Sequence, residues 1–148
     1  MTNIEKVLLT GKTHTTVSNN GGSARNHDGV DIHLSSPGAK PSHVFAGVQA
    51  HPTAEQLFAG AWSACYIGAI GLAAKEKKVT LPSDLSVDIE VDLGQTGQAY
   101  FIQARFDVRL PGVAQEVAEA IAHEAHEICP YSKAVRGNID IALQVVGV

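Results

Sequence analysis

From Leu57 to Ala74 the chain runs for eighteen residues without a charged side chain or a histidine. Alanine, glycine, leucine and isoleucine dominate, and no proline interrupts the run. Such a stretch reads as a helix, and a helix apolar on all faces must be covered on all of them, by its own core or by a second chain. Its ends are marked. Thr53-Ala54-Glu55-Gln56 has the spacing of a capping box, with Thr53 as the cap and Gln56 reaching back. Lys75-Glu76-Lys77-Lys78 puts cations at the negative end of the helix dipole, and Pro82 follows as an exit signal.

The rest of the chain must wrap this helix. Val7-Leu8-Leu9-Thr10 and Thr13-His14-Thr15-Thr16-Val17 are β-branched and read as strand. Ser18 to Ser23 carries a strong turn signal, and Val30-Asp31-Ile32-His33-Leu34 alternates as a further strand. Residues 35 to 51, with Pro37, Gly38, Pro41 and Gly47, read as a long loop of the kind that is often functional. Ser86 to Leu93 and Tyr100 to Leu110 are period-two strands joined at Gly94-Gln95-Thr96-Gly97, an antiparallel hairpin with one wet face. A second helix is expected from about Ala114 to Ile128, stopped by Pro130, and Ile139 to Val145 alternates as a last strand. The fold class is α+β: one domain over residues 1–148, an antiparallel sheet and two helices.

Composition narrows the function. With 45% hydrophobic and 18% charged residues the chain is globular, and a net charge of −4 without basic runs argues against nucleic-acid binding. No apolar stretch reaches the roughly 20 residues that span a bilayer, so no membrane partner is expected. Met1 to Lys6 does not begin a signal peptide, which sets a cytoplasmic location as the expectation. Two cysteines, Cys65 and Cys129, are too few for a disulfide scaffold or an all-cysteine metal site. They are inert, reactive, or partners in one redox couple.

Cys65 lies in the middle of the apolar helix and Cys129 ends the second one, so the two meet if those helices pack. Burial raises a thiol's pKa, and Cys65 is far from either end of its own helix, so a cation is needed to favour its thiolate. The arginines are Arg25, in a Gly-rich segment able to fold over a cleft, Arg105 and Arg109, on the polar face of a strand, and Arg136. Glu55 is either a favourable charge at a helix N-terminus or the residue that orients an arginine. Ten residues of helix, about 15 Å of rise, separate it from Cys65, so one site could use both only through a broken helix or a second subunit. His123 and His126 have an i, i+3 spacing that metal sites use, but no third ligand accompanies them, and a solvated helix face is the reading. No metal and no cofactor is expected.

Glu55-Gln56-Leu57-Phe58-Ala59-Gly60, Ala64-Cys65-Tyr66-Ile67-Gly68-Ala69 and Ile128-Cys129-Pro130-Tyr131-Ser132-Lys133-Ala134-Val135-Arg136-Gly137-Asn138-Ile139 together resemble the organic hydroperoxide resistance proteins, a branch of the osmotically inducible protein C superfamily. The resemblance implies a thiol peroxidase for organic and lipid hydroperoxides, with Cys65 peroxidatic and Cys129 resolving. It also implies an intertwined homodimer, sites at the subunit interface, and regeneration by reduced lipoyl groups on carrier proteins. Glu55 inherits the role of holding an arginine near the thiolate. The family's Gly-Gly-Arg stretch reads Gly21-Gly22-Ser23-Ala24-Arg25 here; an ungapped match puts Asn20 at the arginine, and Arg25 serves if the loop is rearranged. Phe58, Trp62, Tyr66 and Tyr131 are candidates to line an apolar substrate pocket. The alternative is a redox-responsive binding protein that uses the same cysteine pair as a switch without efficient turnover.

Overall fold

The computed structural model describes residues 4–16 and 53–148. The expected strand at Val30–Leu34, the loop of residues 35 to 51 and Arg25 lie outside them. Seven elements follow in order: β1 (Lys6–Thr16), α1 (Ala54–Glu76), β2 (Ser86–Thr96), β3 (Ala99–Arg109), α2 (Gln115–Ile128), α3 (Pro130–Val135) and β4 (Ile141–Val146). The four strands form one sheet in the order β1-β2-β3-β4.

The hairpin of β2 and β3 is antiparallel, with Ser86 opposite Arg109 and Thr96 opposite Ala99. Its turn is tighter than expected. Gly94, Gln95 and Thr96 belong to β2, and only Gly97 and Gln98 are left to turn, with Gly97 at φ +57°. A glycine at positive φ in the first position suits a two-residue hairpin turn. The two strand segments expected near the N-terminus are one continuous strand, β1, antiparallel to β2 with a bulge between Val7 and Leu9.

The sheet is mixed, which corrects the antiparallel expectation: β4 pairs with β3 in parallel. The connection explains it. The chain leaves β3, returns along α2 and re-enters the sheet in its original direction, as a helical crossover must.

Val87, Ile89 and Val91 of β2, with Ala104, Phe106 and Val108 of β3, form the buried sheet face. Against it lie Ala59, Trp62, Tyr66, Ile70 and Ala73 of α1 and Ala118, Ile121, Ala122 and Ala125 of α2. The capping box at Thr53 is present, with Gln56 N–H donating to Thr53 Oγ1 and Thr53 N–H donating to Gln56 Oε1. Gly11 lets α1 begin directly on β1. A Cβ there would come within 2.6 Å of both Gln56 N and Glu55 Cβ.

By length and composition α1 reaches what a membrane span needs, which corrects the expectation that no stretch would. Its packing against β1, β2 and α2 makes it the core helix of a globular domain. The described residues leave one of its faces open. Ala54, Ala61, Ala64, Gly68, Leu72 and Lys75 recur at helical spacing and are exposed, Leu72 by 57%.

Candidate active site

Cys65 and Cys129 meet. α1 and α2 pack side by side, and the chain turns at Cys129, which ends α2 and directly precedes α3. Their Sγ atoms stand 3.0 Å apart, and both thiols are free. A disulfide needs about 2.05 Å, so closing the gap takes about 1 Å of movement. The two differ in access: Cys129 is fully buried, while Cys65 is partly exposed at the edge of the uncovered stripe of α1. A reagent from outside reaches Cys65 first.

Burial raises the pKa of the Cys65 thiol, and the hydrogen bond to Cys129 adds to that. A backbone hydrogen bond from Tyr131 works in the opposite direction without overcoming them. That contact was not foreseen. α3 begins at Pro130, and its first turn reaches Cys65 from a neighbouring element. Proline at the first helical position was the available signal. Six residues are too few for a hydrophobic period to show.

The described arginines are occupied elsewhere. Arg105 donates to Glu90 and Asp92 on the outer face of the sheet, Arg109 pairs with Asp107, and Arg136 pairs with Glu127 while donating to the carbonyl of His126. Glu55 is 5% exposed, and its Oε2 is buried with no hydrogen-bond partner among the described residues. A buried carboxylate oxygen without a donor is costly and invites a cation. α1 is continuous from Ala54 to Glu76, so the roughly 15 Å of rise between Glu55 and Cys65 stands.

The aromatic candidates divide. Trp62 and Tyr66 have no exposed surface and stack edge-on against Phe106, so in this chain they are core residues. The Tyr66 hydroxyl donates to the carbonyl of Ala122. Phe58 is half-buried and packs edge-on against Trp62, while Tyr131 is 44% exposed beside the cysteine pair.

The histidine pair also separates. His123 is exposed, but His126 is tucked between Tyr66 and Phe106 with ring centroids 4.6 and 4.9 Å away, which corrects its reading as solvated. Burial, then the charges of His123 and Arg136, push its pKa down to about 4. His126 Nδ1 lies 2.9 Å from Ser132 Oγ, which also accepts the indole N–H of Trp62 at 3.0 Å. No cluster suited to a metal ion occurs among the described residues.

The OsmC-like protein family model matches residues 47–144. The organic hydroperoxide resistance protein of Xanthomonas axonopodis pv. citri is 34% identical over 143 residues, covering 97% of this chain and 98% of that protein. The crystal structure of an organic hydroperoxide resistance protein of Bacillus subtilis is 34% identical with a TM-score of 0.62, over 66% of this chain and 73% of that one. A structure from Vibrio cholerae, described as an organic hydroperoxide resistance protein with captopril bound in one of its active sites, is 30% identical with a TM-score of 0.67. It covers 97% of this chain and 95% of that one.

Proposed function

This chain belongs to the OsmC-like protein family, on its organic hydroperoxide resistance branch, and from that premise we propose that it is a cysteine-based peroxidase that reduces organic hydroperoxides to alcohols. The observation that carries the reading is the pair of free thiols at 3.0 Å, one reachable from outside and one buried behind it. The Cys65 thiolate attacks the distal peroxide oxygen; the O–O bond breaks, the alkoxide leaves and takes a proton, and Cys65 becomes a sulfenic acid. The Cys129 sulfur then displaces the sulfenic hydroxyl, which departs as water with the Cys129 proton, and a disulfide remains. An external dithiol, of the lipoyl type, returns two electrons and two protons by exchange.

Thiolate formation needs more than the described residues supply, since burial outweighs the Tyr131 contact at Cys65. Glu55, whose buried oxygen has no partner among the described residues, is suited to hold a cation, and Arg25 is the candidate because Arg105, Arg109 and Arg136 are paired elsewhere. The 15 Å between Glu55 and Cys65 along α1 means that Glu55 of one subunit serves Cys65 of another. A homodimer that buries the open stripe of α1 meets this requirement. Tyr131 and Phe58 border the approach to Cys65, and a cytoplasmic setting would keep the thiols reduced.

One observation favours a second reading, a redox switch without efficient turnover: the raised pKa of Cys65. Purified protein given cumene hydroperoxide and dihydrolipoamide, with Cys65→Ser as control, separates the two. Catalytic peroxide loss that disappears in Cys65→Ser supports the peroxidase. One disulfide per chain with no further peroxide loss supports the switch.

A further inference from the structure

Two hydrogen bonds, one buried and one partly buried, lie beside the cysteine pair and have no part in the chemistry above. Trp62 lies one helical turn before Cys65 on α1, and Ser132 one turn after Cys129 on α3. The Trp62 indole N–H donates to Ser132 Oγ at 3.0 Å, and Ser132 is 2% exposed. An indole nitrogen can only donate, so Ser132 accepts from Trp62, and Ser132 Oγ shares a second hydrogen bond with His126 Nδ1, 2.9 Å away, in the direction the imidazole tautomer sets. His126 is itself held between Tyr66 and Phe106. One hydroxyl thus ties α3 to both α1 and α2.

We infer that Ser132 is a positioning residue whose two hydrogen bonds hold the Cys129 turn against α1, so that Cys129 Sγ stays in line with Cys65. The inference rests on the disulfide step of the proposed mechanism. Lys133 N–H donates to the carbonyl of Cys129, so α3 and the Cys129 backbone move as one unit. Val135 adds an apolar contact that does not fix rotation about the helix axis, and the backbone of Tyr131 reaches Cys65 from the same short helix. Ser132 supplies directional side-chain bonds to both α1 and α2.

The step affected is the condensation of Cys65 sulfenic acid with the Cys129 thiol to give the disulfide and water. Attack of the Cys65 thiolate on the peroxide does not use Cys129 and depends on α3 only through the Tyr131 backbone contact, so it is affected far less. The test treats the reduced full chain with one equivalent of cumene hydroperoxide. Samples are quenched with a sulfenic-acid trap and a thiol alkylator and counted by mass spectrometry. For Ser132→Ala, the disulfide should form about ten-fold or more slowly while the rate of Cys65 oxidation changes far less, with trapped sulfenic acid accumulating. Ser132→Thr should restore the disulfide rate. Trp62→Phe, which keeps a ring and loses the donor, should reproduce the defect. Tyr66→Phe removes a different α1–α2 hydrogen bond and should leave the disulfide rate alone. Disulfide formation at the wild-type rate in both Ser132→Ala and Trp62→Phe would overturn the inference while leaving the peroxidase intact. A wild-type chain that is oxidised at Cys65 without forming the disulfide would overturn the mechanism and this inference with it.

Discussion

The hydroxyl of Tyr66 donates to the backbone carbonyl of Ala122 at 2.7 Å, joining α1 to α2 one residue beyond Cys65. Tyr66 is fully buried, and its ring packs on Phe106 and His126. Its side chain therefore contributes to stability and makes no pocket wall. Tyr66→Phe should cost about 1 kcal/mol in urea unfolding and leave KM for an alkyl hydroperoxide unchanged. A several-fold rise in KM with unaltered stability would restore Tyr66 to the substrate site.

At the thiol, burial raises the Cys65 pKa and the Tyr131 backbone contact only partly offsets it. The thiolate is the nucleophile, so a cation must lower that pKa for fast reaction near neutrality. In Arg25→Ala the rate of Cys65 oxidation at pH 7 should fall by about ten-fold or more, and it should recover as pH rises above the ordinary thiol range. Glu55→Gln should shift the pH–rate profile in the same direction by a smaller amount. The pH dependence of first-turnover oxidation checks this, and an unchanged profile in both variants removes the pair from the site.

Two groups make acid stability fall in separate pH windows. The folded pKa of His126 is depressed from 6.5 to about 4, so the unfolded chain binds the proton first. Stability is full above about 6.5 and is lost as pH falls toward 4, on the order of 2 kcal/mol allowing for partial exposure of the ring. For Asp92, burial alone would raise the pKa, but hydrogen bonds from Arg105, Thr10 and Gln103 outweigh it and hold it at about 2. Its contribution is present above 3.8 and lost as pH falls through about 2. His126→Asn, which keeps a hydrogen-bonding group for Ser132, should flatten the upper window and leave the lower one. Urea midpoints measured between pH 7 and pH 2 check both.

The sequence carried α1 almost residue by residue, because the uncharged run and the Thr53 capping box are local signals. The parallel pairing of β4 was not legible, since Ile141, Leu143 and Val145 alternate alike in either direction and only the crossover decides. The meeting of Cys65 and Cys129 could be anticipated from the two helices that carry them, but not the 3.0 Å distance or the buried position of Cys129. The contacts of Ser132 and His126 were not legible because a serine and a histidine on helices look solvated until the third dimension places Trp62 and Phe106 beside them. The full burial of Trp62 and Tyr66 was not legible for the same reason: aromatic residues near a cysteine suit a pocket and a core equally well.

Gly11 tests how tightly the start of α1 is fixed. A methyl group there would press to 2.6 Å on Gln56 N and Glu55 Cβ, backbone and near-backbone atoms that cannot swing aside. Gly11→Ala should destabilise the chain by about 1–3 kcal/mol and displace Glu55. It should also slow Cys65 oxidation, as Glu55→Gln does. A fully stable Gly11→Ala protein with normal oxidation kinetics would show that the α1 start can move without consequence.

The open stripe of α1 makes the strongest prediction about assembly. Ala61, Ala64 and Gly68 are small enough to let a second helix approach closely, and Leu72 stands 57% exposed beyond them. In an isolated chain Leu72→Glu would meet only water and cost little, since a solvated glutamate is a good helix former. In a dimer that packs α1 against its partner, the same carboxylate would be buried without a counter-ion, at a cost of several kcal/mol. Light scattering should therefore give twice the monomer mass for the wild type and the monomer mass for Leu72→Glu, with an unchanged circular dichroism spectrum. Peroxide reduction should fall together with the mass, because Glu55 and Cys65 then no longer share a site. A Leu72→Glu protein that stays dimeric would move the interface to another face of the domain. A monomeric one with full activity would mean that a single chain completes the site by itself.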